Sequence, residues 1–228
     1  MPKAFLACIV HKFMEEESYV YPTQAELLNE IVEGDLYTEI HLEEKSFYNG
    51  FAKYRCHHDF KQNKMGKVFG KTFNYYFEPL NFNTYFSSND NLAFISTKTE
   101  ASLDFMKYLN SSKYFKMEPI QIDFSKIYPL ILEVAGAWIA DIQKVHLRTA
   151  GYFGPNVHKS DEFKAAANEG NVSSVNIKFC SAIDNEEYQI TISKKGSITL
   201  YDSFKSHFEE LRLVLEVYNR LLNPHQIL

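Results

Sequence analysis

Residues 51–77 read FAKYRCHHDFKQNKMGKVFGKTFNYYF, and the way this stretch is threaded decides the fold. Directly before it stands Asn49-Gly50, the pair best suited to a two-residue hairpin turn because both central positions of that turn need φ > 0. Upstream, Leu36, Thr38, Ile40 and Leu42 alternate with polar neighbours, the period of a strand with one covered face. Phe51 therefore opens the return arm of a hairpin, which commits the region to antiparallel sheet. Residues 61–66 have turn composition, and residues 68–77 predict an aromatic strand that Pro79 stops.

The same stretch carries the strongest charge asymmetry in the chain. Six basic residues meet one acid, Asp59, and eight aromatic rings sit among them, whereas the chain as a whole has a formal charge of −5. Lys53, Arg55, Lys61, Lys64, Lys67 and Lys71 can neutralise phosphates or acidic side chains. Tyr54, Phe60 and Tyr75 can stack on unpaired bases, as single-strand binding surfaces do. The competing structural reading is a solvated hairpin whose lysines guard an edge strand while Phe69, Phe73 and Tyr75 pack inward. A sequence pI of 5.9 also stands against a dedicated nucleic-acid binder.

Outward from this stretch, residues 4–10 are a short apolar run that predicts a buried first strand. It has no cleavage pattern behind it, and no stretch reaches the length needed to cross a bilayer. Thr23 and Glu26 form a capping box for a helix through Leu27, Leu28, Ile31 and Val32. Thr97 and Glu100 form a second, opening a helix through Phe105, Tyr108 and Leu109. Residues 134–142 read as a buried strand that something approaches closely at Gly136. Residues 172–179, 188–193 and 198–201 predict a three-stranded meander, and Phe204, Phe208, Leu211, Leu215, Tyr218 and Leu222 form the apolar stripe of a final helix capped by Asp202 or Ser203.

The expected class is α+β: antiparallel sheets with about three capped helices on their faces, the C-terminal helix covering the meander. The 228 residues form one domain, or two closely packed subdomains, 1–124 and 125–228. Three cysteines, Cys8, Cys56 and Cys180, are too few for a disulfide framework, and they point to a reducing, cytoplasmic setting.

Several residue groupings in the chain have the types that particular chemistries use. Gly66-Lys67-Val68-Phe69-Gly70-Lys71-Thr72 is one residue short between its glycines of a phosphate-binding loop, and a strand follows it where that loop needs a helix. Cys56-His57-His58-Asp59 gathers metal-ligand types, but neighbours on a strand point to opposite faces, so no metal site is expected. Asp35, Glu43 and Lys45 resemble in type the groups a Mg²⁺-dependent nuclease or phosphodiesterase uses to hold an ion and place a water, and they form the enzymatic alternative. No nucleophile elbow and no cofactor fingerprint is present. Tyr152 and Phe153, framed by Gly151 and Gly154, are a secondary candidate for a ligand loop. The leading expectation is a non-enzymatic binding or accessory subunit of an intracellular assembly, without cofactor or membrane. It would contact single-stranded nucleic acid or an acidic protein surface through Lys53, Tyr54, Arg55, Phe60, Lys61, Lys64, Lys67, Lys71 and Tyr75, within a hetero-complex.

Overall fold

A computed structural model describes residues 2–14, 17–22, 36–143 and 146–223. The Thr23–Glu26 capping box and Asp35 lie outside the described residues. The chain is mixed α and β, mostly antiparallel strand, and it divides into two units: Cys8–Glu118, and Pro119–Leu228 together with Met1–Ala7. The break thus precedes the expected position at residue 124.

In the N-terminal unit the strands are β1 (Lys3–Lys12, of which residues 8–12 belong here), β2 (Ser18–Pro22), β3 (Tyr37–Tyr48), β4 (Phe51–Gln62), β5 (Gly66–Val68), β6 (Lys71–Phe73), β7 (Tyr76–Ser87), β8 (Leu92–Ser96) and β9 (Lys116–Pro119), with helix α1 (Thr99–Asn110) between β8 and β9. The sheet order is β1-β8-β7-β4-β3-β2, and among the described residues β5 pairs only with β6. Asn49 and Gly50, at φ 46° and 83°, make the expected turn between β3 and β4.

Two expectations fail here. Residues 68–77 are not one strand: β5 and β6 form a small hairpin of their own, and β7 begins only at Tyr76. Pro79 does not stop β7 either, since the ladder with β4 runs from Gln62↔Tyr76 through Asp59↔Pro79 to Ala52↔Phe86.

Along β4 the side chains alternate as a strand requires. Tyr54, Cys56, His58 and Phe60 are buried on the face that α1 covers, where Phe105 packs edge-on against Phe82 with centroids 5.0 Å apart and against His58 at 5.8 Å. Lys53, Arg55 and His57 take the other face. The N-cap of α1 is Lys98, without a side-chain bond, so the predicted Thr97–Glu100 box does not form.

The C-terminal unit contains α2 (Phe124–Ile127), β10 (Glu133–Ala140), β11 (Ala150–Phe153), α3 (Asp161–Glu169), β12 (Asn171–Cys180), β13 (Glu187–Ser193), β14 (Ser197–Leu200) and α4 (His207–Val217). Its sheet order is β11-β10-β12-β13-β14-β1, so β12, β13 and β14 are the predicted meander. Gly136 is pressed as expected: a Cβ there would stand 3.2 Å from the Phe153 ring.

The last helix starts later than its apolar stripe suggested. Ser206, not Asp202 or Ser203, accepts a bond from the N–H of Glu209 and caps α4. Phe204 lies outside the helix, stacked on Tyr188 at 5.7 Å, and Phe208 is exposed. Beyond Val217 the backbone widens into a π turn over Tyr218–Leu222. Glu216 accepts from Ser181 Oγ at 2.8 Å, and the Arg220 guanidinium lies over the Phe179 ring at 4.7 Å, which ties the helix to β12. Glu210 is buried at 2% exposure, ion-paired to Lys3 and 3.2 Å from His207 Nδ1.

Each unit runs an antiparallel meander straight into one long helix: β7 and β8 into α1, β13 and β14 into α4.

Candidate docking surface

The basic stretch passes through three environments, and they sort its residues. On β4, Lys53 is almost covered, at 13% side-chain exposure, with Nζ 2.9 Å from the Glu43 carboxylate and 5.5 Å from the Phe47 ring centroid. Arg55 stands exposed on the sheet face opposite α1. Tyr54 is buried edge-on against Phe13, with centroids 5.1 Å apart, and Phe60 is buried beside His58. Neither ring can stack on a base, and the expected aromatic platform of Tyr54, Phe60 and Tyr75 is corrected: even-numbered residues of β4 face the helix. At the end of β4, Lys61 turns its ammonium over the half-buried Tyr75 ring at 4.1 Å, a cation–π contact that occupies both.

Besides Arg55, what remains open is the β5–β6 hairpin with the residues that lead into it. Lys64, Lys67 and Lys71 are exposed, and among the described residues no carboxylate lies within ion-pair distance of them. Lys67 is paired with Thr72 across the ribbon and Val68 with Lys71, so Lys67 and Lys71 project from opposite faces. The cations thus surround the ribbon instead of lining one side of it. Gly66 pairs with Phe73, whose ring lies where a Cβ at position 66 would be, 2.2 Å away; glycine is what lets the ring lie flat across the hairpin.

The turn joins Phe69, at φ 46°, to Gly70, at φ 80°. Glycine tolerates that region, but an aromatic residue in it costs on the order of 1 kcal/mol. Phe69 is also fully exposed, at 102%, and Met65 at 82%. The strained backbone and the exposed ring of Phe69 coincide at the tip of a cationic ribbon, and Met65 stands at its base. Beside the base of the ribbon, Phe60, Gln62, Asn63 and Lys64 face Leu103, Asp104 and Lys107 of α1 across an open groove of about 650 Å³.

A second polar arrangement escaped the sequence reading. His58, with no exposed surface, has Nδ1 2.8 Å from Thr38 Oγ1 and Nε2 3.2 Å from Asp104 Oδ2. The donor and acceptor roles follow the tautomer: in the neutral ring with its proton on Nε2, Nε2 donates to the Asp104 carboxylate and Nδ1 accepts from the Thr38 hydroxyl. The order Thr, His, Asp has the look of a nucleophile relay, but Thr38 is itself fully buried and no substrate atom can reach its oxygen. The relay ties β3, β4 and α1 together. The only available sequence signal was a histidine in register with Thr38 on the covered face.

The remaining candidates are dispersed. His57 is 3.4 Å from Asp59 and 3.1 Å from Asn81, on the face away from Cys56 and His58, as the strand period required. Burial pushes the Cys56 thiol up to about 12, and its Sγ donates to Thr84 Oγ1 at 3.2 Å. Among the described residues no three His, Cys, Asp or Glu side chains converge as a metal site would need. Of the enzymatic alternative, Glu43 sits at a register shift in β3 and is paired with Lys53, and Lys45 is exposed.

Tyr152 and Phe153 do not form a loop lip. They are on β11, a strand paired with β10, and they diverge: Tyr152 packs edge-on to Phe163 of α3 at 5.7 Å, while Phe153 points outward against Trp138 at 5.2 Å. The correction follows from strand alternation. Among the described residues no helix is long and apolar enough to cross a membrane.

Compared with protein-family models and with curated proteins, the chain matches none.

Proposed function

We propose that this chain is a non-enzymatic binding or accessory subunit of an intracellular hetero-complex, and that the β5–β6 ribbon is the part that docks on an anionic partner. The observation that carries this reading is the set of three exposed lysines, Lys64, Lys67 and Lys71, on or beside a hairpin that among the described residues pairs with no other strand. A ribbon of this kind has little reason to protrude for stability alone, because an isolated two-stranded hairpin is marginal in water. Its cations would steer an acidic surface into contact over roughly the 8 Å Debye length of physiological salt. The free thiols Cys8, Cys56 and Cys180 support a reducing compartment.

The test uses polyglutamate and a dT20 oligonucleotide as polyanion probes, with binding followed by fluorescence anisotropy at stepped salt. Three lysine contacts to dT20 predict that affinity falls roughly twentyfold between 50 and 200 mM salt. The variant carrying Lys64→Glu, Lys67→Glu and Lys71→Glu should keep its circular dichroism and lose that binding. Full binding by this variant would end the proposal.

A further inference from the structure

The ribbon holds more than charge, and its tip says which kind of anionic surface it fits. We infer that Phe69 is a hydrophobic anchor that enters an apolar socket on an acidic protein partner, with Lys67 and Lys71 matching Asp and Glu on the rim of that socket and Lys64, at the base of the ribbon, adding to the attraction. The inference rests on the docking reading above and narrows it to one class of partner.

Three features of the hairpin lead to it. Phe69 occupies the first central position of the turn at φ 46°, where asparagine or glycine would sit without strain, and its ring is wholly exposed. Residues held in unfavourable backbone regions concentrate where a protein makes contact. Met65, at 82% exposure, adds a deformable apolar side chain at the base of the same ribbon. Finally, Phe73 fills the space over Gly66, so Phe69 is the ring of this hairpin that is left wholly free.

One ring at the tip, with Tyr76 exposed only beyond the base of the ribbon, is a poor match to nucleic acid. Stacking surfaces engage successive bases on successive rings along a groove, whereas here Tyr54 and Phe60 are buried and Tyr75 is covered by Lys61. One aromatic side chain flanked by two cations, Lys67 and Lys71, has the anatomy of an interface hot spot instead: an apolar centre bordered by polar contacts that exclude water. The cations occur on both faces of the ribbon, so acidic groups must approach from both sides of the tip, as they do around a socket.

The experiment uses three labelled probes with the intact chain: a 20-residue acidic amphipathic peptide with Leu at helical spacing and Glu elsewhere, polyglutamate of the same length, and dT20. The amphipathic peptide should bind tightest, and Phe69→Ala should weaken it about tenfold or more. The same substitution should leave polyglutamate binding within twofold, since that probe offers no socket. Phe69→Leu should restore most of the lost affinity. Unchanged thermal midpoints are expected for both variants, because the ring packs on nothing.

If Phe69→Ala leaves the amphipathic peptide unaffected while the triple lysine reversal still weakens it, the anchor is refuted and charge docking stands. If dT20 proves the tightest probe and depends on Phe69, the partner is a nucleic acid and the inference fails. If no probe binds, both this inference and the docking proposal fall.

Discussion

The buried relay of Thr38, His58 and Asp104 can be tested by a double-mutant cycle. Valine replaces Thr38 with almost the same shape, removing the hydroxyl and leaving Nδ1 of a histidine with 0% exposure without its donor. An orphaned buried acceptor costs about 1–3 kcal/mol, so Thr38→Val should cost about 2 kcal/mol. His58→Leu strands the Thr38 hydroxyl in the same way, for a similar cost of about 2 kcal/mol, while Asp104, with 26% of its side chain exposed, regains water and adds little. In the double variant no polar atom is left stranded between β3 and β4. Its cost should be about 2 kcal/mol and not about 4, a coupling of roughly 2 kcal/mol. For a chain of this length, each single variant would lower the thermal midpoint by roughly 4–8 °C. Urea and thermal unfolding followed by circular dichroism read the whole cycle. Strict additivity, or a neutral Thr38→Val, would show that the two groups are not bonded as described.

Two further expectations concern the thiols and a tyrosine. Cys8 and Cys56 are buried while Cys180 is exposed, so a disulfide-exchange dye at pH 8 should label one thiol of the native chain quickly and all three only in denaturant; fast labelling of two would contradict the burial. Burial also raises Cys8 and Cys56 from 9.0 to about 12, and Tyr128 from 10.0 to about 12. The unfolded chain therefore ionises first: stability is whole below about pH 9 and falls as the pH climbs towards 12. Urea midpoints between pH 8 and 11 should show this decline, and Cys8→Ala with Cys56→Ala should flatten its first part. An identical decline in that variant would assign it to other groups.

Short-range chemistry was the legible part of this sequence. Asn49-Gly50 specified its turn because few residues accept φ > 0, and the period-two runs placed β3, β4, β12 and β13. Gly136 announced a close approach, and Phe153 supplies it. Alternation also separated Cys56 and His58 from His57 and Asp59, but it could not say which face a helix would cover. For that reason Tyr54 and Phe60 were expected at the surface and are found inside. The hairpin at residues 66–73 was hidden because its turn has phenylalanine where asparagine or glycine would signal it. Helix α3 was missed because it buries only Phe163 and Ala166, too little apolar periodicity to stand out.

Pro79 has a consequence beyond its own strand. From Tyr76 to Phe82, β7 has β4 on one flank, while β8 reaches residues 83–87 on the other, so among the described residues no strand pairs with that part of its outer flank. The ladder to β4 passes through Pro79 unbroken, so the hydrogen its ring nitrogen lacks is one that would have faced outward. The Glu78 carboxylate, 3.5 Å from Lys98, sets charge on the same margin. Fibril-like growth from this flank would meet a missing donor at its midpoint and an ion pair beside it, which lets a chain rich in phenylalanine and tyrosine keep an unfinished sheet margin in solution.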